Sequence, residues 1–321
     1  MRLGIVGCGL IGQKRAASAK GHEIVYVTDL DPARAQALAS RTGAKVAPDW
    51  RALIATDIDV VVIATTHDIL AEIALAAVEA GKDVLVEKPA GRNSAEARKV
   101  AEAARKRGAI VKVGFNHRFH PAILKAHEIF ASGALGEMMY IRGRYGHGGR
   151  PGMEKEWRCV PEVSGGGELI DQGPHLIDLS RWFLGDLNLA FAHVPTLFWD
   201  IKVDDNCFLA LQSKTGQVAW LHATWTEWKN CFVLEISGRN GKLTIDGLGG
   251  SYGVEKLTYH RMLPQMGPPE TTTWEYPFPD RSWDLEFEEF SSAVAARRQP
   301  LGNIEDALAV LTIVDQAYGR T

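Results

Sequence analysis

Three short stretches of this 321-residue chain carry residue types and spacings that could do chemistry. The first is Gly7-x-Gly9-x-x-Gly12, which closes the apolar run Leu3-Gly4-Ile5-Val6 and opens a helix-compatible segment. Glycines so spaced at a strand-to-helix turn permit a tight turn at Gly7, bring a pyrophosphate against the backbone at Gly9 and let helix and sheet pack closely at Gly12. Leu10 and Ile11 lie between the last two, where free N–H groups and the positive end of the helix dipole face an anion. A second apolar run ends at Asp29, 17 residues after Gly12. An acid there accepts both ribose hydroxyls of NAD and repels the extra phosphate of NADP, so NAD is the expected cofactor and NADP the less favoured one. Arg34 and Arg41 lie nearby in sequence and would accommodate that phosphate if turned inward.

The second stretch is Glu87-Lys88-Pro89, directly after Val84-Leu85-Val86. Read alone it is a solvated Glu–Lys pair at a proline turn. At the end of a buried strand, partial desolvation would instead suit the lysine to proton transfer. The third is Glu168 to Asp178, in which Asp171, His175 and Asp178 recur at helical spacing with Pro174 between them. A continuous helix would line these side chains along one side; Pro174 is tolerated in a first turn and otherwise kinks the helix, a bend that would aim Asp171 and His175 into a cleft. A histidine flanked by Leu176 and Ile177 also reads as a structural one. No HExxH and no cysteine cluster supports a zinc site, so no metal is expected, and no G-x-S-x-G elbow supports a serine hydrolase.

The elements that must position these residues alternate over the first 120 positions. Strands are expected at 3–7, 24–28, 44–46, 59–64, 83–86 and 110–113. Helices are expected between them, capped by Asp31, Asp49 and Ser94. That pattern is a doubly wound parallel sheet, in which ligands bind beyond the carboxyl ends of the strands. Gly7 to Gly12, Asp29, Thr65-Thr66-His67, Glu87-Lys88-Pro89 and Asn116-His117-Arg118 stand at those ends. From 121 onward the reading is an α+β domain: a helix from Pro121, a strand over 138–145, the glycine-rich run 164–167, a helix ending near Gly185, and a meander of hairpins between 187 and 276. Two helices finish the chain. The domains are thus 1–120 and 121–321. Val218, Trp220, Trp225, Trp228 and Phe232 are candidates for the open face of a large, mostly antiparallel sheet, which pairing with a second copy would bury, with internal core the other reading of these aromatics.

Hydrophobic residues make up 46% of the chain and charged residues 23%, and the net charge is −3. This gives no reason to expect nucleic acid or a membrane as partner. Four scattered cysteines without a CxxC pair fit a reducing cytoplasm, and no secretion signal is apparent.

Taken together, Gly7-x-Gly9-x-x-Gly12, Glu87-Lys88-Pro89, Gly114-Phe115-Asn116-His117-Arg118-Phe119 and Gly165-Gly166-Gly167-x-x-x-Asp171-x-Gly173-x-His175-x-x-Asp178 resemble the glucose–fructose oxidoreductase / inositol dehydrogenase / rhizopine-catabolism (Gfo/Idh/MocA) family, in order and over essentially the whole chain. The resemblance implies a Rossmann domain plus an α+β substrate domain, NAD(P)-dependent redox chemistry on a sugar, inositol or nucleotide-linked sugar, and a homodimer or homotetramer. It implies Lys88, Asp171 and His175 as catalytic residues: Lys88 on the reacting oxygen, His175 as general base or acid, Asp171 orienting sugar and lysine. Gly7, Gly9, Leu10, Ile11, Gly12, Asp29, Thr65, Thr66, His67, Glu87, Lys88 and Asn116 are the expected cofactor contacts. Asn116, Arg118, Tyr145, Trp157 and Arg158 join the catalytic three as substrate contacts, with structural ion pairs the other reading of Arg118 and Arg158. His147, Arg150 and Lys155 are candidates to meet a phosphate or carboxylate on the substrate. A redox-neutral NAD-dependent glycosidase on the same scaffold and a non-catalytic sugar- or cofactor-sensing regulator are the alternatives.

Overall fold

A computed structural model describes residues 1–320. The chain divides into two compact units: Met1–Phe115 with Glu162–Gly165 and Trp283–Thr312, and Asn116–Pro161 with Gly166–Ser282 and the residues from Ile313 onward.

The first unit is built on six parallel strands, β1 (Arg2–Val6), β2 (Glu23–Thr28), β3 (Lys45–Val46), β4 (Val60–Ile63), β5 (Asp83–Val86) and β6 (Val111–Val113), in the order β3-β2-β1-β4-β5-β6. Helices α1 (Leu10–Ser18), α2 (Pro32–Thr42), α3 (Trp50–Ile54), α4 (His67–Glu79) and α5 (Ser94–Arg107) connect them. All four residues of β4 and of β5 are buried, as β-branched runs in a sheet covered on both faces must be. Local signals set the helix ends. Asp31 accepts the N–H of Ala33 and starts α2, and Gly43 at φ 76° stops it. Helix α5 begins one residue earlier than expected: Asn93, not Ser94, caps it by accepting the N–H of Glu96 at 2.9 Å. The order reverses between β1 and β4, which opens the crevice at their carboxyl ends.

The second unit holds α6 (Pro121–Ala131), β7 (Met138–Gly146), the single turn α7 (Pro161–Ser164, which runs into the first unit), α8 (Glu168–Asp171), α9 (Gly173–Leu184) and strands β8 (Leu187–His193), β9 (Asn206–Ser213), β10 (Val218–Thr224), β11 (Cys231–Gly238), β12 (Gly241–Asp246), β13 (Glu255–Arg261) and β14 (Glu270–Tyr276). The sheet order is β14-β13-β12-β11-β7-β10-β9-β8. It is not the simple meander expected. β7 enters between β10 and β11 and runs parallel to β10, pairing Ile141 with Ala219. Every other pairing in it is antiparallel. Helices α6 and α9 pack on one face. On β10 the inward Ala219, Leu221 and Ala223 are buried, while Trp220 is 50% exposed. Of the candidates for the open face, Trp225 and Phe232 are fully buried and take the core reading.

Helix α10 (Ser282–Ala296) and most of α11 (Ile304–Ala317) belong to the first unit although they close the chain. Phe287 and Phe290 of α10 join Leu3, Ile5, Leu38, Val62 and Leu85 in its core. Each such aromatic ring, fully buried, contributes roughly 1.5–3 kcal/mol of transfer free energy.

Candidate active site

In the first unit the three glycines of the β1–α1 turn do different work. At Gly7, φ is +93° and a Cβ would stand 2.4 Å from the carbonyl oxygen of Ala64; at Gly12 it would stand 1.9 Å from that of Gly7. Both glycines are therefore demanded by the protein's own packing. At Gly9 a Cβ would meet nothing nearer than Arg34 Nη1 at 3.9 Å. Nothing in the chain needs glycine there, whereas a ligand pressed on the backbone does. Gly9 begins α1 without a side-chain cap, Leu10 is 72% exposed, and Ile11 is half-buried. The turn thus fits a dinucleotide phosphate. Cys8, inside the turn, donates its thiol to the carbonyl of Thr28, and burial together with the nearby Asp29 pushes its pKa up to about 12, so it stays an inert thiol.

Asp29 ends β2 and braces the same turn: Oδ2 accepts the N–H of Cys8 at 2.6 Å and Oδ1 that of Asp31 at 2.8 Å. The two arginines that would favour a 2′-phosphate have other partners, Arg34 with Asp31 at 3.3 Å and Arg41 with Gln13 at 2.9 Å. Thr65 and Thr66 follow β4, and Thr66 donates to Asp68 at 2.6 Å. His67, buried in the first turn of α4, is bonded through Nδ1 to the carbonyl of Ser164 at 2.8 Å.

Glu87 is not the solvated partner of a surface lysine. It is 8% exposed and meets Arg15 of α1 at 2.6 Å. Arg15 also meets Glu286 of α10 at 2.5 Å, and Glu286 meets Lys112 of β6 at 2.9 Å. Burial raises the Glu87 carboxyl against the pull of Arg15. For Glu286 burial pushes the same way, but the two cations outweigh it and hold it below its ordinary value. This alternating row of buried charges lies beneath the segment Glu87-Lys88-Pro89, whose Lys88–Pro89 peptide is cis. The signal for it was a lone arginine three residues after Gly12, on the face of α1 that packs inward.

In the second unit the Asp171 and His175 positions flank a break, not one continuous helix. α8 ends at Asp171, Gln172 interrupts, and Pro174 sits in the first turn of α9. The start of α8 is held by one residue: the Asp204 carboxylate accepts the N–H groups of Gly167 at 2.9 Å and Leu169 at 2.7 Å, and its carbonyl accepts that of Glu168. Tyr318 donates to the same carboxylate at 2.7 Å. Asp171 Oδ2 accepts from Arg158 at 3.2 Å, and the guanidinium of Arg158 lies over the ring of Trp157 at 4.5 Å. His175 is 5% exposed and stacks on His117, centroids 3.6 Å apart and planes 18° apart. His117 in turn is bonded through Nδ1 to Asn116 Oδ1 at 3.2 Å, and Asn116 donates to Ser282 at 3.0 Å. Arg118 makes a buried two-point ion pair with Asp178, at 2.6 and 2.8 Å, which ties the turn at 116–119 to α9.

Tyr145 of β7 stands beside His175, centroids 6.3 Å apart, and beside Tyr252, 5.1 Å apart. Neither Tyr252 nor Gln172 is a fixed position of a motif, and a tyrosine in a strand connection carries no periodic signal. On the loop after β7, Arg150 pairs with Glu156 at 2.5 Å. His147 accepts the N–H of Gly149 on Nδ1, and burial lowers its pKa despite the opposing influence of Asp171. Among the described residues no group of three or more His, Cys, Asp or Glu side chains is placed to hold a metal, and no helix is long and apolar enough to cross a membrane.

Comparison with known proteins agrees with this geometry. Residues 1–115 match the oxidoreductase family with an NAD-binding Rossmann fold, and residues 123–244 match the Gfo/Idh/MocA C-terminal domain. The chain is 33% identical over 226 residues to inositol 2-dehydrogenase 2 of Saccharopolyspora erythraea, covering 67% of this chain and 64% of that one. It is 30% identical over 286 residues to levoglucosan dehydrogenase of Pseudarthrobacter phenanthrenivorans (77% and 73%), and 32% identical over 250 residues to D-glucoside 3-dehydrogenase of Escherichia coli (70% of each). A solved levoglucosan dehydrogenase with NADH superposes with a TM-score of 0.90 at 24% identity, covering 100% of this chain and 98% of that one, which shows the shared fold. GenD2 from gentamicin A biosynthesis, solved with NAD, has a TM-score of 0.84 at 26% identity, with coverage of 100% and 93%. With both halves matched by the family's models, and a relative at 30% identity matched over most of its length, the chain belongs to the Gfo/Idh/MocA family of NAD-binding oxidoreductases.

Proposed function

We propose that the protein is an NAD-dependent dehydrogenase that interconverts a secondary alcohol and a ketone on a sugar or inositol. The observation that carries the reading is the α8–α9 junction, where Asp171, held by Arg158, and a buried, ring-stacked His175 stand four residues apart beside Tyr145. A secondary alcohol is a poor acid, so losing hydride requires a base for its proton and a cation for the developing alkoxide. His175 takes the hydroxyl proton, Lys88 stabilises the reacting oxygen, and Asp171 orients the sugar. Asn116, Tyr145, Trp157 and Arg158 are proposed to contact substrate; Arg118, spent on Asp178, supports α9. Gly7 to Gly12, Asp29, Thr65 to His67 and Glu87 would hold the cofactor. When bound, its nicotinamide supplies the hydride acceptor. The relatives named for inositol, levoglucosan and glucosides support this substrate range.

The test is NADH formation from NAD with inositol, levoglucosan and methyl glucoside, run beside Lys88→Ala. We expect turnover of at least one class, reduced about 10²- to 10⁴-fold in the variant with NADH affinity retained. Sugar release without NADH would favour the redox-neutral glycosidase. Binding of a sugar with no conversion would favour a sensor.

We further propose a homo-oligomer joined through the open face of the second unit's sheet. Two aromatic rows cross that face: Phe191, Ala210 and Trp220 in one, His193, Phe208 and His222 in the next. Phe191 and Trp220 are each 50% exposed with parallel rings, and Phe208 stacks on His222 at 4.2 Å. A patch of this kind is what a second copy would cover. The four cysteines, all free thiols, support a cytoplasmic setting.

A further inference from the structure

Beside Asp171 and His175 the second unit presents a set of neutral hydrogen-bonding groups that the dehydrogenase mechanism does not use. Tyr252, in the connection between β12 and β13, receives the side-chain N–H of Gln172 at 3.4 Å. Its ring lies beside that of Tyr145, centroids 5.1 Å apart. A phenol oxygen that accepts this bond has its own proton to donate elsewhere. Gln172 is 7% exposed, and its Oε1 is a buried acceptor with no hydrogen-bond partner among the described residues. A buried amide oxygen left so costs free energy that a ligand hydroxyl would recover. Together they offer one donor and one acceptor, the complement of neighbouring hydroxyls on a saturated ring.

The charges nearby favour the same class of ligand. Glu168 and Asp171 both belong to α8, which ends next to Gln172, and acidic side chains there disfavour an anionic ligand. The arginines of the adjoining loop, which could have welcomed one, are already engaged: Arg150 with Glu156, and Arg158 with Asp171 and Glu156. Arg144 lies 3.5 Å from Glu227.

We propose that Tyr252 and Gln172 are substrate-binding residues that select an uncharged polyhydroxylated ring, a cyclitol, anhydrosugar or simple glycoside, over phosphorylated, carboxylated or nucleotide-linked sugars. The proposal rests on the dehydrogenase reading above and deepens it. It is tested in two ways on the NADH-loaded protein and on its turnover. Calorimetric titration compares inositol, levoglucosan and methyl glucoside with glucose 6-phosphate, glucuronate and UDP-glucose. Initial rates with NAD then compare wild type, Tyr252→Phe and Gln172→Met.

We expect binding and turnover to be confined to the uncharged group, and each substitution to raise KM about tenfold, the worth of one hydrogen bond, while kcat changes less than about twofold and NADH affinity stays the same. Binding without NADH production, weakened in both variants, would sustain this inference and defeat the dehydrogenase reading. An anionic sugar bound at least as well as its neutral counterpart would overturn the inference. So would an unchanged KM in Tyr252→Phe, or an absence of both binding and turnover across the uncharged group.

Discussion

Asp205 shows how a single side chain can hold a loop in place. Its carboxylate accepts the backbone N–H groups of Leu197, Phe198 and Trp199 and the side-chain amide of Asn206, all at 2.8–3.0 Å. Burial pushes its pKa up, but these donors outweigh burial and hold it below the ordinary aspartate value. A carboxylate with a lowered folded-state pKa contributes stability that is complete above its unfolded value, about 3.9, and is lost as pH falls through the folded one. Asp205→Ala should therefore cost about 1–3 kcal/mol at neutral pH, with the difference from wild type shrinking in acid; urea melts at pH 7 and in stepwise more acidic buffer would show it. A constant difference across that range would mean that the lost charge is not what matters. At the cofactor turn, Asp29→Ala removes the acceptor of the Cys8 N–H and the proposed ribose acceptor at once. We expect the ratio of kcat/KM for NAD over NADP to fall at least tenfold; an unchanged ratio would assign the preference to another residue.

At the scale of elements, the buried row Glu87–Arg15–Glu286–Lys112 joins α1, β5, β6 and α10. Glu286→Ala would leave two buried cations without their shared partner and should destabilise the first unit by about 3–5 kcal/mol, read as a lowered denaturation midpoint. A change under 1 kcal/mol would show that water or rearrangement satisfies Arg15 and Lys112. This row also marks what the sequence made legible. The βα alternation of the first unit follows from fully apolar strands and capped helices, so β4, β5, α2 and α5 were readable to within a residue or two. That Glu286 should reach Arg15, 271 positions away, was not, because pairing between distant charges leaves no local pattern. The insertion of β7 beside β10 was hidden for the same reason. Consecutive hairpin signals describe neighbours in sequence, and a central strand contributed from elsewhere breaks no local rule. Among the aromatics, Trp220 and Trp225 carry the same residue type, yet only Trp220 points outward on β10; Trp225 lies beyond the strand in a small core with Met153, Cys159 and Val203. In the candidate site, Asp171 and His175 stand out in the sequence through their motif, whereas nothing local marks Tyr252, whose ring lies beside Tyr145 and whose hydroxyl accepts from Gln172.

The whole molecule carries two claims, one about assembly and one about chemistry. The aromatic rows on the open sheet face should make the protein at least dimeric, and Trp220→Glu, which puts a charge beside Phe191, should lower the mass measured by light scattering without lowering the melting midpoint of the subunit. An unchanged mass would place any interface elsewhere. The chemical claim is that this NAD-binding oxidoreductase is a dehydrogenase whose turnover depends on Lys88 and His175. The most direct test is the rate of NADH formation with inositol, levoglucosan and methyl glucoside for wild type, Lys88→Ala and His175→Ala, with NADH affinity measured on all three. Turnover in the wild type that falls about 10²- to 10⁴-fold in both variants, at unchanged NADH affinity, is the expected result. Equal turnover in either variant would contradict the assigned roles, and no NADH from any of these compounds would contradict the dehydrogenase itself.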